Sequence, residues 1–229
     1  MRIGIVGAMK LEIELIVGKL NDIVKESIAG YDFYVGKLNN NEIIICESGV
    51  GKVNAGGAAL LLISEFNAEL VINTGIAGGI GDVKCRDVII GNGLAWHDFD
   101  IRIFGYPFGQ VPNMPKVYLT NPLVIMNTKM ILNKLNIDYK EGIIVSGDQF
   151  VTNLDKLEYV KDLNPVACEM EGCAIAQVCT KAGVDFLVLR YISDIVGEEN
   201  QNDNYIKFEE EMATRSAKIC ISLIEMISD

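Results

Sequence analysis

The chain contains a single histidine, His97, and no Cys/His cluster surrounds it, so a Ser-His-Asp triad or a histidine-based metal centre has almost nothing to be built from. We read His97 as a loop or interface residue. Cysteine is present but not as a framework. Cys46, Cys85, Cys168, Cys173, Cys179 and Cys220 include no C-x-x-C pair, and most lie inside apolar segments, as reduced buried thiols do. Basic clusters are missing as well, and the formal charge is −11. That balance disfavours nucleic acid or an anionic membrane surface and favours a small neutral or cationic ligand. No stretch approaches about eighteen uninterrupted apolar residues: Lys10, Glu12 and Glu14 break the N-terminal run, and Arg190 breaks the late one. Neither a membrane span nor a signal peptide is expected, and the expected location is cytoplasmic.

What remains is material for one core. Half of the 229 residues are apolar, enough for one sizeable domain over residues 1–229 and little more. Short apolar strands alternate with helical spacing, and there is no internal repeat or low-complexity tract. Arg2 to Val6 reads as a strand, and Met9 to Leu20 as a helix with Leu11, Leu15, Ile16 and Leu20 on one face, joined by a tight Gly7-Ala8 turn. Two or three strands follow, among them Asp32 to Leu38 and Glu42 to Glu47, separated by a hairpin signal at Asn39-Asn40-Asn41. A small-residue helix to about Phe66 leads to a strand at Leu70 to Asn73, a loop at Gly75 to Gly81 and a strand at Asp87 to Ile90. Beyond a Gly/Pro-rich loop from Phe104 to Pro115, helices are expected at Leu123 to Leu135, Asp155 to Leu163, Met170 to Ala182 and Tyr205 to Ile227, with strands at Gly142 to Val145 and up to Asp194. The expected fold class is α/β: a single domain with a mixed central β-sheet flanked by helices on both sides.

Glycine is abundant, so phosphate-binding signatures need testing first. Gly49-Val50-Gly51-Lys52 is not a triphosphatase loop, because Cys46 stands where its first glycine belongs and Val53 where a Ser or Thr must reach magnesium. As a dinucleotide fingerprint the same stretch has Asn54 in place of the third glycine. The glycine turns at Gly7, Gly49, Gly75 and Gly147 each follow a strand instead, which lets backbone approach a flat ligand along one sheet edge. Ser146-Gly147-Asp148-Gln149-Phe150 adds an aromatic face beside free amides, a combination suited to a purine. Phe186-Leu187-Val188-Leu189 has the composition of a strand buried on both faces and runs into Arg190-Tyr191-Ile192-Ser193-Asp194. Asp194 thus reaches the carboxyl edge of the sheet, where parallel strands hold ligands. With Glu169 and Glu171 shortly before, these are the groups that acid-assisted cleavage of a small molecule needs.

Seven landmarks, in order and over nearly the whole chain, carry a resemblance: Gly4 to Met9 with Glu12, Ser48 to Lys52, Asn73 to Gly79, Phe104-Gly105-Tyr106, Ser146 to Phe150, Glu169-Met170-Glu171 and Arg190 to Asp194. Together they resemble the bacterial 5′-methylthioadenosine/S-adenosylhomocysteine nucleosidases. The resemblance implies the nucleoside phosphorylase/hydrolase fold, a homodimer, and hydrolysis of an adenine N-glycosidic bond with no metal or organic cofactor. It implies that Asp194 protonates the base, helped by Ser193, and that Glu12 is the base for the attacking water, with Arg190 near that water. It further implies that Glu171 grips the ribose hydroxyls, with Met170 packed beneath the sugar, while Phe150 stacks on adenine and the main chain of Val151 reads its edge. Val50 and Tyr205 match the 5′-thio pocket, to which the partner subunit adds residues matching Phe104 and Pro112. Where the family usually has a serine that helps hold the water, this chain has Ile76. The segment Gly81 to Arg86 is slightly short, and Lys10-Leu11 replace the acidic pair that often precedes the glutamate.

Taken singly, each residue has a plainer reading. Glu12 and Glu171 also suit solvent-facing carboxylates in a first helical turn, Met170 and Phe150 suit a core, Arg190 a structural ion pair, and Asp194 a cap. Glu169 and Glu171 point apart if the helix has already begun at that point, which favours Glu171 in the site and leaves the role of Glu169 open. Two other activities share the expected fold: a purine nucleoside phosphorylase and a catalytically impaired nucleoside-binding protein.

Overall fold

A computed structural model describes residues 1–227 of the chain. Its first half runs β1 (Arg2–Gly7), α1 (Lys10–Val17), β2 (Asn21–Ile28), β3 (Tyr31–Leu38), β4 (Asn41–Glu47), α2 (Lys52–Ser64), β5 (Leu70–Gly79) and β6 (Val88–Trp96). The second half runs β7 (Tyr118–Leu119), α3 (Pro122–Lys134), β8 (Tyr139–Ser146), β9 (Ala167–Glu169), α4 (Gly172–Ala182), β10 (Asp185–Ile195) and α5 (Gln201–Ile227). Two 3-10 segments, Arg102–Phe104 and Leu154–Leu163, complete it; the second occupies the place where an ordinary helix was expected.

All ten strands join one mixed sheet. The central strand β1 lies between parallel neighbours β4 and β5 and is buried at every residue after Arg2. Side chains on a strand alternate between faces, and the core follows that period. Ile3, Ile5, Ile43, Ile45 and Ile72 pack with residues of α1, α3 and α5. Val6, Ile44, Cys46 and Val71 pack on the opposite face with residues of α2 and α4. One layer of helices thus covers each face, as an α/β sheet buried on both sides requires.

Beyond β1 the sheet curls shut. β10 pairs with both β5 and β6, β6 with β8, β8 with β9, and β9 returns to β5. This ring exists because β5 continues to Gly79, through residues expected to form a loop, and because the three-residue β9 bridges the gap; the expected reading contained no strand there. Glycines along the end of β5 serve close approach between strands rather than chain reversal: a methyl at Gly79 would meet Val83, Ile192 and Ile195 at under 3.0 Å. The exposed β2 pairs only with β3, antiparallel, and α5 begins four residues earlier than expected, at Gln201. Among the described residues no helix is long and apolar enough to cross a membrane.

Candidate active site

Seven chain segments meet at the mouth of the closed ring around a cleft of about 590 Å³, counting its open entrance. The turn after β1 brings Ala8, Met9 and Glu12, and the turn after β4 brings Val50. The ends of β5 and β8 supply Ile76, Ala77, Gly78, Gln149, Phe150 and Val151. Cys168, Glu169, Met170 and Glu171 enter between β9 and α4, Ser193 and Asp194 from β10, and Gln201 and Tyr205 from α5.

Glu12 is the third residue of α1 and only 3% exposed. Its Oε2 accepts hydrogen bonds from the amides of Ala8 (2.7 Å) and Met9 (3.1 Å), and the Ile76 amide also faces the carboxylate. Burial nonetheless raises its pKa, against the opposing pull of Arg190 and these amides. The carboxylate fits because position 75 has no side chain: a methyl on Gly75 would lie 2.6 Å from Glu12 Oε1.

Glu169 and Glu171 both line the cleft, because α4 starts only at Gly172 and the two residues end a strand and cap a helix instead of sharing a helical turn. Their environments differ sharply. Glu169 is fully engaged: Ser146 Oγ donates to Oε1, while Arg190 and the amides of Glu171 (3.1 Å) and Gly172 (2.8 Å) donate to Oε2. Burial opposes its ionisation, but Arg190 and Ser146 outweigh that and hold its pKa below the ordinary value. Glu171 has one such bond, from the Gly51 amide at 2.8 Å. That amide is aimed by a left-handed turn residue (φ 96°), a conformation natural to glycine. Burial first, and the charge of Glu169 second, push Glu171 up to about 7.

Asp194 is 1% exposed and owes its aim to an irregularity. The β10 register against β5 shifts between Ile192 and Asp194, an extra residue of the kind that redirects side chains next to binding sites. Ser193 Oγ donates to Asp194 Oδ1 at 2.5 Å, and Gln201 Nε2 donates to Oδ2 at 2.8 Å. Burial raises the carboxyl pKa despite both bonds. Opposite, Phe150 and Tyr205 meet edge to face, with ring centroids 5.3 Å apart. The neighbouring loop is tethered by Lys52, whose amide donates to Asp148 Oδ1 (2.8 Å) and whose Nζ reaches Asp98 (2.6 Å).

The cleft therefore gathers Glu12, Val50, Ile76, Phe150, Val151, Glu169, Met170, Glu171, Ser193, Asp194 and Tyr205. Arg190 is different: its guanidinium lies behind the wall, bonded to Glu169, to the Asn73 side chain and to the main-chain oxygens of Asn73 and Leu189. At mid-strand in β10 and 2% exposed, it meets the requirement of a buried cation for a carboxylate partner. Phe104 and Pro112 lie away from this chain's cleft; Phe104 is 75% exposed and Pro112 is exposed. Gln201 was not foreseen: it lies in the polar run Glu198 to Asn204, ahead of the expected start of the final helix at Tyr205. Ser146 was read only as part of its loop, yet besides holding Glu169 it accepts the Cys173 amide at 2.8 Å.

Residues 2–225 match the phosphorylase superfamily. A 5′-methylthioadenosine/S-adenosylhomocysteine nucleosidase of Staphylococcus epidermidis is 40% identical, over 97% of this chain and 98% of that protein. Another, from a Marinomonas species, is 41% identical over 90% and 91%. Among solved structures, the Streptococcus pyogenes S-adenosylhomocysteine nucleosidase in complex with 5-methylthiotubericidin superposes with a TM-score of 0.93 at 34% identity, covering 99% and 97% of the two chains. The native futalosine hydrolase of Helicobacter pylori gives the same TM-score, 0.93, and the same 34% identity, over 99% and 98%. The chain belongs to the phosphorylase superfamily and, within it, to the 5′-methylthioadenosine/S-adenosylhomocysteine nucleosidases.

Proposed function

We propose that the protein hydrolyses the N-glycosidic bond of 5′-methylthioadenosine, S-adenosylhomocysteine and related 5′-modified adenosines, releasing adenine and the 5-substituted ribose. The observation that carries this reading is the convergence of three carboxyl groups with raised pKa, Glu12, Glu171 and Asp194, on one cleft that also holds an aromatic face. Adenine is a poor leaving anion, so the bond breaks readily only if the base is protonated at N7. Asp194, whose pKa burial raises, gives that proton; the C1′–N9 electron pair passes to the base, and the ribose becomes oxocarbenium-like. Glu171 accepts from the ribose hydroxyls, and its negative charge steadies the cationic sugar. Water adds to C1′ and gives its proton to Glu12, whose raised pKa makes it a better base than an exposed glutamate. Phe150 stacks on the base and the Val151 main chain reads its edge, with Met170 beneath the sugar. Val50 and Tyr205 line the apolar 5′ end, while Ile76 stands beside Glu12 on the water side. Arg190 acts through Glu169, which it holds ionised beside Glu171. The reaction takes water as its co-substrate and uses no cofactor.

The site is completed by Phe104 and Pro112 of the partner subunit in a homodimer; Ile103 and Phe104 stand 87% and 75% exposed, as apolar side chains at an interface do when a protomer is alone. The cytoplasm is the proposed location. A phosphorylase reading is less well supported, because no Lys or Arg is among the residues lining the cleft to receive phosphate. Adenine release from methylthioadenosine in phosphate-free buffer tests the proposal. Hydrolysis requires release without phosphate and no acceleration when phosphate is added. Release only with phosphate identifies a phosphorylase, and binding without release identifies an inactive nucleoside binder.

A further inference from the structure

Gln201 has no part in the chemistry above, yet it is 4% exposed and its carboxamide is fully bonded inside the cleft. Nε2 donates to the main-chain oxygen of Val151 at 2.9 Å and to Asp194 Oδ2 at 2.8 Å, and Oε1 accepts from the Gly197 amide at 2.9 Å. The two acceptors are the groups assigned to the base: the edge-reading backbone of Val151 and the proton donor Asp194. An amide nitrogen with two protons, one directed at each, has the donor pattern of the exocyclic amine of adenine, which lies beside N7. A base whose N7 faces Asp194 brings that amine to the position Nε2 already fills.

We infer that Gln201 is an internal competitor for the nucleobase: its carboxamide occupies the place of the exocyclic amine and is expelled when the base docks. The inference rests on the function proposed above. The route out is short. Gln201 is the first residue of α5, and the preceding residues 197–200 are exposed, with Gly197 in a left-handed conformation (φ 84°) that serves as a pivot. Tyr205, one turn further along α5, packs against Phe150 with ring centroids 5.3 Å apart, so displacement of the first turn also loosens that aromatic contact. The carboxamide keeps Asp194 and the Val151 carbonyl hydrogen-bonded, and every incoming base must break those two bonds. Affinity falls accordingly, because the binding-competent state is only a fraction of the whole.

The test is Gln201→Ala, compared with the wild-type protein by calorimetric titration with free adenine and free hypoxanthine and by steady-state hydrolysis of methylthioadenosine. Removing a competitor worth one to two net hydrogen bonds should tighten adenine binding about tenfold. Hypoxanthine should gain by the same factor, and KM should fall while kcat changes by less than about threefold. Unchanged or weaker adenine binding, or an altered preference between the two bases, overturns the inference and makes Gln201 a reader of the base. Should the variant fail to fold, a crystal structure of the wild-type protein with adenine decides: Gln201 away from Asp194 and Val151 supports displacement, and Gln201 still bonded to both refutes it. A wild-type protein that releases no adenine refutes the proposed function instead, while the adenine titrations still judge Gln201.

Discussion

Replacing Asp194 by Asn is the sharpest perturbation of the proposed chemistry, because the structure lets the amide in at little cost. The Asn oxygen can face Gln201 and keep the 2.8 Å bond from Nε2. Its NH2 can donate to Ser193 Oγ, whose own proton then turns to the Ala77 carbonyl at 3.3 Å, an acceptor already in reach. No buried polar group loses its partner, so the expected change in stability is about 1 kcal/mol or less. The amide has no acidic proton to give, however, and a positioned general acid contributes about 10²–10⁴ in rate, or roughly 3–5 kcal/mol of barrier. We expect Asp194→Asn to keep its melting temperature within a few degrees and its substrate affinity within about tenfold, and to lose at least about a hundredfold in kcat. Thermal melts, calorimetric binding of methylthioadenosine and adenine release measure the three quantities. Turnover within a few-fold of wild type, with substrate bound, refutes Asp194 as the acid.

Three other perturbations separate roles inside the cleft. Glu171 titrates near 7 in the folded protein against 4.5 for an ordinary glutamate, so the folded state holds the extra proton and stability falls as pH rises from 4.5 through about 7. At one decade per 1.36 kcal/mol that is of order 3 kcal/mol, and Glu171→Gln should therefore melt several degrees higher at pH 8, with little difference near pH 4.5; equal melting at pH 8 contradicts the assignment. Activity should move oppositely, with the acid limb of kcat/KM near pH 7 in the wild type flattened in Glu171→Gln. Gly75→Ala puts a methyl 2.6 Å from Glu12 Oε1, so kcat should drop about tenfold or more from displacement of the base, with modest loss of stability; unchanged kcat means that Glu12 is not held there for catalysis. Arg190→Met strands the ionised Glu169 in the core and should cost about 3–5 kcal/mol of unfolding free energy, read by urea denaturation, which a purely water-positioning arginine would not.

How far the residues alone disclosed this arrangement depends on how strongly each segment follows one pattern. The run from Phe186 to Asp194 is uniformly apolar and then abruptly charged, so a buried strand ending in functional groups was legible, although the register shift that aims Asp194 was not. The end of β5 misled in the opposite way. Five residues from Gly75 to Gly79 include three glycines, the usual mark of a loop, but here the lack of side chains makes room for Glu12 and for the closing strands. β2 carries no buried face and hence no alternation to detect, and β9 is too short to have a period. The relation of Glu169 to Glu171 depended on where α4 begins, a boundary within two residues that local spacing does not fix. Gln201 left no trace because its role arises from contacts with residues 7 and 50 positions away.

Three acidic side chains in one cleft are proposed to divide the work on a single nucleoside. A crystal structure with an adenosine analogue whose base is joined to the sugar by an uncleavable carbon–carbon bond tests that most directly. It should place the Asp194 carboxyl within hydrogen-bond distance of the base at the N7 position, Glu171 on the ribose hydroxyls and Glu12 on a water below C1′. A base turned with that edge away from Asp194, or a sugar touching neither glutamate, contradicts it.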